Sequence, residues 1–99
     1  MKIPSELQVG GVTYQVRWDL EARQFLANEG NNGYCNKQSL CLSLNPDQTR
    51  VGQTFLHEVV HAIDFEYCAC SLTEAQVDTI SHGMMQVLRQ FGIEFTLEE

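Results

Sequence analysis

Between Thr54 and Asp78 the chain reads TFLHEVVHAIDFEYCACSLTEAQVD, with His57 and His61 four residues apart and Glu58 directly after the first. On an α-helix, positions i and i+4 share one face, so two imidazoles at that spacing can bind one tetrahedral ion at about 2.0–2.1 Å. Glu58 is turned about 100° round the helix from His57. It is poorly placed to ligate beside the histidines and well placed to hydrogen-bond a water in an open coordination position. That division explains the H-E-x-x-H spacing: two ligands for Zn²⁺ and one general base, Glu58. The competing reading of these residues is two solvated histidines on a polar helix face.

A catalytic zinc needs a third protein ligand and an open fourth position. Downstream stand Asp64, Cys68, Cys70, Glu74, Asp78 and His82. A carboxylate at Asp64 would have to reach past His61, which suits a supporting acid better than a ligand. Either cysteine would make a closed, thiolate-rich site. Glu74 opens a helix that must fold back antiparallel, so its long side chain can meet the metal from a second direction. SLTE (71–74) also reads as a capping box that would engage Glu74. Thr73 with Gln76 offers an alternative cap that frees it. Asp78, one turn after Glu74, can accept the N–H of a ligand histidine and fix its tautomer, or it can be a surface acid.

TFLHEVVHAID followed by EAQVDTIS resembles the zincin metallopeptidases, and within them the gluzincin pattern in which a downstream glutamate is the third ligand. The second segment is similar to the E-x-x-A-[ND]-x-F-A helix of ImmA/IrrE-type metallopeptidases. Val77, Asp78, Ile80 and Ser81 stand at the last four specified positions, and the compact size resembles zincin-like proteins of phages and mobile elements. The likeness covers about 25 residues, 54–81, and departs from the family at Val60, where a glycine usually precedes the second histidine. The resemblance implies His57, His61 and Glu74 as zinc ligands, Glu58 as base, and a minimal zincin fold. It implies a hydrolase cleaving a peptide or protein substrate, and it leaves the substrate unnamed. The runner-up is a catalytically silent zinc-binding interaction module on the same scaffold.

Elements must hold these residues in place. The expected fold is α+β in one domain, 1–99: a strand-rich half (1–45) with a small, mostly antiparallel sheet, then a two-helix metal-site half (46–92). LQVGGVTYQVRW (Leu7 to Trp18) reads as a hairpin turning at Gly10-Gly11. LEARQFLA (20–27) has helical spacing but also suits a third strand, and GNNG (30–33) is a turn. YCNKQSLCLSLN (34–45) offers one or two strands, with Leu40, Leu42 and Leu44 on one face. We expect the strand around Leu40–Leu44 to be a sheet edge on which an extended peptide adds.

NPDQ (45–48) reads as a helix start, with an Asn cap, Pro at the first position and Gln three residues on. The active-site helix then runs to about Tyr67, with Phe55, Val59, Ala62, Ile63 and Tyr67 for the core. A supporting helix follows CACS (68–71), with Val77, Ile80, Met84, Val87, Leu88 and Phe91 at three- and four-residue intervals. It ends at Gly92, and IEFTLEE (93–99) is a short strand or tail.

Composition narrows the partners. The 99 residues carry a formal charge of −7, and their six Lys and Arg are scattered, so nucleic acid is excluded as a partner. Glu58, Asp64, Glu66 and Glu74 concentrate acid round the histidine pair, which suits a divalent cation. No apolar run approaches a membrane span, and the N-terminus lacks the apolar core of a secretory signal, so a cytoplasmic protein is expected. The four cysteines, Cys35, Cys41, Cys68 and Cys70, lack paired C-x-x-C spacing and are read as reduced thiols. Tyr34, Tyr67 and His82 are candidate donors to a transition state. Oligomeric state is left open.

Overall fold

The computed structural model describes residues 1–97; Glu98 and Glu99, the end of the expected tail, lie outside the described residues. The architecture is α+β. Strands β1 (Glu6–Val9) and β2 (Val12–Arg17) lead into helix α1 (Leu20–Glu29), then β3 (Gly33–Asn36), β4 (Cys41–Leu44), α2 (Val51–Tyr67) and α3 (Glu74–Gln90).

The expected hairpin forms, with Val9 opposite Val12 and Gly10 supplying a left-handed turn residue (φ 64°). The ambiguous stretch after it is helical. Asp19 caps it, its carboxylate accepting from the Ala22 N–H, and Gly30 closes it in a left-handed conformation. Ala22 and Leu26 are its buried pair.

The sheet order is β1-β2-β4-β3. Two pairings are antiparallel, and β2 with β4 is parallel, so the sheet is mixed. β4 is therefore an inner strand, contrary to the expected edge at Leu40–Leu44. The helical α1 lets the chain cross from β2 and return through β3, which places β4 beside β2 and leaves β3 outermost. Alternation along the strands sorts the faces. Val16, Leu42 and Cys35 share one register row, and Leu42, Leu44, Val16, Ile3 and Phe55 form a cluster that seats α2. Ser43 and Tyr34 share the next row on the opposite face, where Tyr34 meets Phe25 of α1.

α2 begins at Val51, five residues after the expected start at Pro46. The polar groups of NPDQ are used in a turn instead. Asn45 Oδ1 accepts from the Asp47 N–H, and Gln48 Nε2 donates to the carbonyls of Asn45 and Asn32. The segment is thereby tied to the turn before β3. α2 buries Phe55, Leu56, Val60 and Ala62, whereas Tyr67 is exposed.

The expected core stripe of α3 is rotated. Val77, Ser81 and Met85 are buried, while Ile80, Val87 and Phe91 are exposed. Ser81 Oγ accepts from Gln53 Nε2 of α2 at 3.1 Å, so a polar residue sits in the helix contact. After α3 the chain returns to the N-terminus, with a bridge between Lys2 and Thr96. Among the described residues no helix is long and apolar enough to cross a membrane.

Candidate metal centre

Seventeen residues of unbroken helix put His57 and His61 on the same side of α2, their ring centroids 5.0 Å apart. α3 supplies the third group. Its N-cap is Thr73, whose hydroxyl accepts from the Gln76 N–H while Gln76 Oε1 accepts from the Thr73 N–H. That box occupies Thr73 and Gln76 and leaves the Glu74 carboxylate free. Glu74 Oε2 lies 2.7 Å from His57 Nε2, and Oε1 lies 2.9 Å from His61 Nε2. The donor atoms of His57, His61 and Glu74 all lie within 4.8 Å of one another, the one such group of three among the described residues. Tetrahedral donors at zinc bond lengths sit about 3.3 Å apart; the Glu74 oxygens stand closer than that to the imidazoles, at hydrogen-bond distance, so the set is near enough to close on an ion and right in chemistry.

Asp78 stands behind the first histidine. Its Oδ1 is 3.3 Å from His57 Nδ1, so the ring is held between two carboxylates, one at each nitrogen. This contact fixes which ring nitrogen is presented to Glu74. His61 is held differently, with the Phe65 ring stacked beside it at 6.0 Å.

Glu58 does not join the cluster. It is buried in the wall of a cleft of about 770 Å³ that also contains both histidines, Glu74 and Asp78. Burial first, and the charge of Glu74 second, push its carboxyl up to about 8. The opposite wall is β3. Cys35 faces the same space, and burial followed by the Glu58 charge pushes its thiol up to about 12. Gly33 is the closest approach: a methyl there would stand 2.5 Å from Thr54 Cγ2 and 3.0 Å from Glu58 Oε2. Sequence reading took Gly33 for a turn residue. Its packing role carries no local signal, because its partners Thr54 and Glu58 are 21 and 25 positions away.

The α2–α3 connection turns sharply, through Ala69 and Cys70 in the left-handed region (φ 55° and 60°). Asp64, buried, fastens it. Its Oδ1 accepts from the Leu72 N–H, and its main-chain carbonyl accepts from Cys68 and Cys70. Asp64 is thus a loop clamp that sets where α3 begins.

Of the other candidates, Tyr34 and Cys70 line the cleft outside the cluster, and the rest lie away from it. All four cysteines are free, and Cys70 reaches the cleft rim with Lys37 Nζ 3.6 Å from its sulfur. His82 lies in a neighbouring cleft, its Nδ1 2.8 Å from the Asp78 carbonyl. The Tyr34 ring packs on Phe25, and Tyr67 points to solvent. No family model, curated protein or solved structure matches this chain, so the reading of the site rests on its own geometry.

Proposed function

We propose that this protein is a zinc-dependent metallopeptidase of gluzincin type on a minimal zincin-like scaffold. The observation that carries the reading is convergence: two imidazoles from α2 and one carboxylate from α3 meet beside a separate, buried carboxylate. His57, His61 and Glu74 would hold the ion, with Asp78 orienting His57. Bound there, zinc supplies a Lewis acid that polarises a carbonyl and makes a water acidic near neutral pH.

The remaining chemistry belongs to the chain. Glu58 takes the proton of the attacking water and passes it to the leaving amine. Burial raises its proton affinity in the metal-free site, which suits the acid half of that duty; the positive charge of a bound ion would lower it again and free the carboxylate to act first as base. β3 is outermost in the sheet, and Gly33 to Cys35 line the cleft, so an extended peptide can add along that edge. The same three donors suit iron(II). The buried base beside them is what favours a hydrolytic ion.

The test compares wild type with Glu58→Gln, His61→Ala and Glu74→Ala, reading metal identity, zinc content and cleavage of a peptide library. Glu58→Gln should keep its zinc and lose cleavage by about 10²–10⁴-fold, the usual worth of a positioned base. His61→Ala and Glu74→Ala should lose metal and activity together. Loss of zinc from Glu58→Gln would make Glu58 a ligand and end this assignment. Zinc-loaded wild type that cleaves no peptide would leave the silent binding module instead.

A further inference from the structure

The rotation of α3 that brings Glu74 and Asp78 to the histidines turns an apolar stripe outward. Ile80, Val87 and Phe91 are 42%, 52% and 74% exposed. We propose that this outward face is a self-association surface, on which α3 of a second copy packs antiparallel across a two-fold axis at Gly83.

Three observations select a second copy as the occupant. The first is the pattern of sizes. Ala75, Thr79, Gly83, Val87 and Phe91 follow one another every fourth residue, and all are exposed. Such i±4 rows are the ridges that run alongside one another when helices pack in their commonest class. An antiparallel copy centred on Gly83 sets Ala75 against Phe91 of the second copy, and Thr79 against its Val87. Small residues on the N-terminal half meet large ones on the C-terminal half, and the two-fold axis makes each pairing occur twice.

The second is Gly83 itself. Glycine weakens an exposed helix interior relative to alanine. A methyl at Gly83 would meet nothing within 4 Å, so nothing in this chain's own packing calls for glycine there. Close approach of another helix backbone at that point supplies the missing reason.

The third is charge. The chain carries −7, yet positions 75, 76, 79, 80, 83, 84, 86, 87, 90 and 91 are all uncharged. Of the ionisable residues of α3, Glu74 and Asp78 fall on the far side of the helix, while His82 and Arg89 border the strip along the edge that carries Ala75 and Gln86. A basic partner would seek acids on this face and a nucleic acid would seek Lys and Arg. A second acidic copy meets least repulsion on an uncharged strip. α3 is 17 residues long, about 25 Å at 1.5 Å per residue. A strip that long and one helix wide buries on the order of 1,000 Å² in total, at the small end of specific interfaces. So small an interface suits a weak dimer, and since area alone does not set affinity we take roughly 10–100 μM as the Kd to test.

Sedimentation equilibrium of the full chain from about 1 μM to about 1 mM brackets that Kd. Wild type should pass from monomer to dimer across the range, and added salt should strengthen the dimer by screening the like charges. Phe91→Ala should weaken it about tenfold, as should Ala75→Phe, which sets two rings against each other. The swap Ala75→Phe/Phe91→Ala restores the size pairing and should return the Kd to within about threefold of wild type. Every substituted position is exposed, and circular dichroism checks the fold. A wild type monomeric throughout the range would overturn the proposal, as would a swap as weak as Phe91→Ala alone. Dimer strength that falls with salt would also overturn it, because it would mark a contact made by opposite charges.

Discussion

Glu58 is a carboxylate that the fold has taken out of water at a cost, and Gly33 sets how completely. The strand–helix approach at Gly33 leaves no room for a side chain against Thr54 and Glu58. Gly33→Ala should therefore destabilise the protein by about 1–3 kcal/mol, the usual penalty for overpacking. Thr54→Ser removes the nearer obstacle, Cγ2, and should recover much of that loss in denaturant unfolding. The Glu58 contact remains in the double variant, so peptide cleavage should stay impaired after stability returns. If Thr54→Ser recovers nothing, the strand rather than the threonine methyl limits the approach. The His57–His61–Glu74 cluster was legible because helical spacing makes a three-dimensional statement out of a local motif. Gly33 and Cys35 were not legible, since their partners lie on α2, and tertiary approach leaves no periodicity in the residues that permit it.

At the level of elements, the hairpin, the two long helices and the fold class could be read from turn residues and apolar periods. Three features could not, and each has a tertiary cause. α1 lacks a strong apolar stripe because only Ala22 and Leu26 are buried. NPDQ has helix-start chemistry, yet Gln48 spends it on Asn32 across the chain. α3 shows two faces that could serve as core, and the one with Ser81 is chosen because it meets Gln53 and brings Glu74 and Asp78 round to His57.

The device that sets this orientation is the Asp64 clamp, so its removal should be felt in metal binding. Asp64→Ala leaves the half-buried Leu72 N–H without its acceptor and should cost about 1–3 kcal/mol. It should also weaken zinc about tenfold or more, as expected for loss of a group that orients a ligand. Asp64→Asn keeps an acceptor oxygen and should retain most of both. Unfolding in denaturant and competition with a chromophoric chelator give the two readings. Equal losses in Ala and Asn would show that the negative charge, not the hydrogen bond to the loop, is what matters.

For the molecule as a whole, the cluster of His57, His61 and Glu74 is a clasp between the two helices that carry the site. α2 is seated on the sheet through Phe55 and Ala62, while α3 rests on α2 through Val77, Ser81 and Met85. An ion that binds the folded clasp and not the unfolded chain adds stability by mass action, about 2.7 kcal/mol at a hundredfold excess over its Kd. For a chain of this length that raises the melting temperature by about 10–20 °C. Stripping the metal with chelator at neutral pH should reverse the gain, and zinc should restore it. The gain should also fade on acidification, because both imidazoles must be neutral to ligate. Modifying the accessible thiols Cys68 and Cys70 should leave it intact, since neither sulfur belongs to the donor set. His57→Ala should melt where the stripped wild type does and ignore added zinc. A wild type indifferent to chelator at neutral pH would show that these residues close α3 onto α2 by hydrogen bonds alone, with no ion in the clasp.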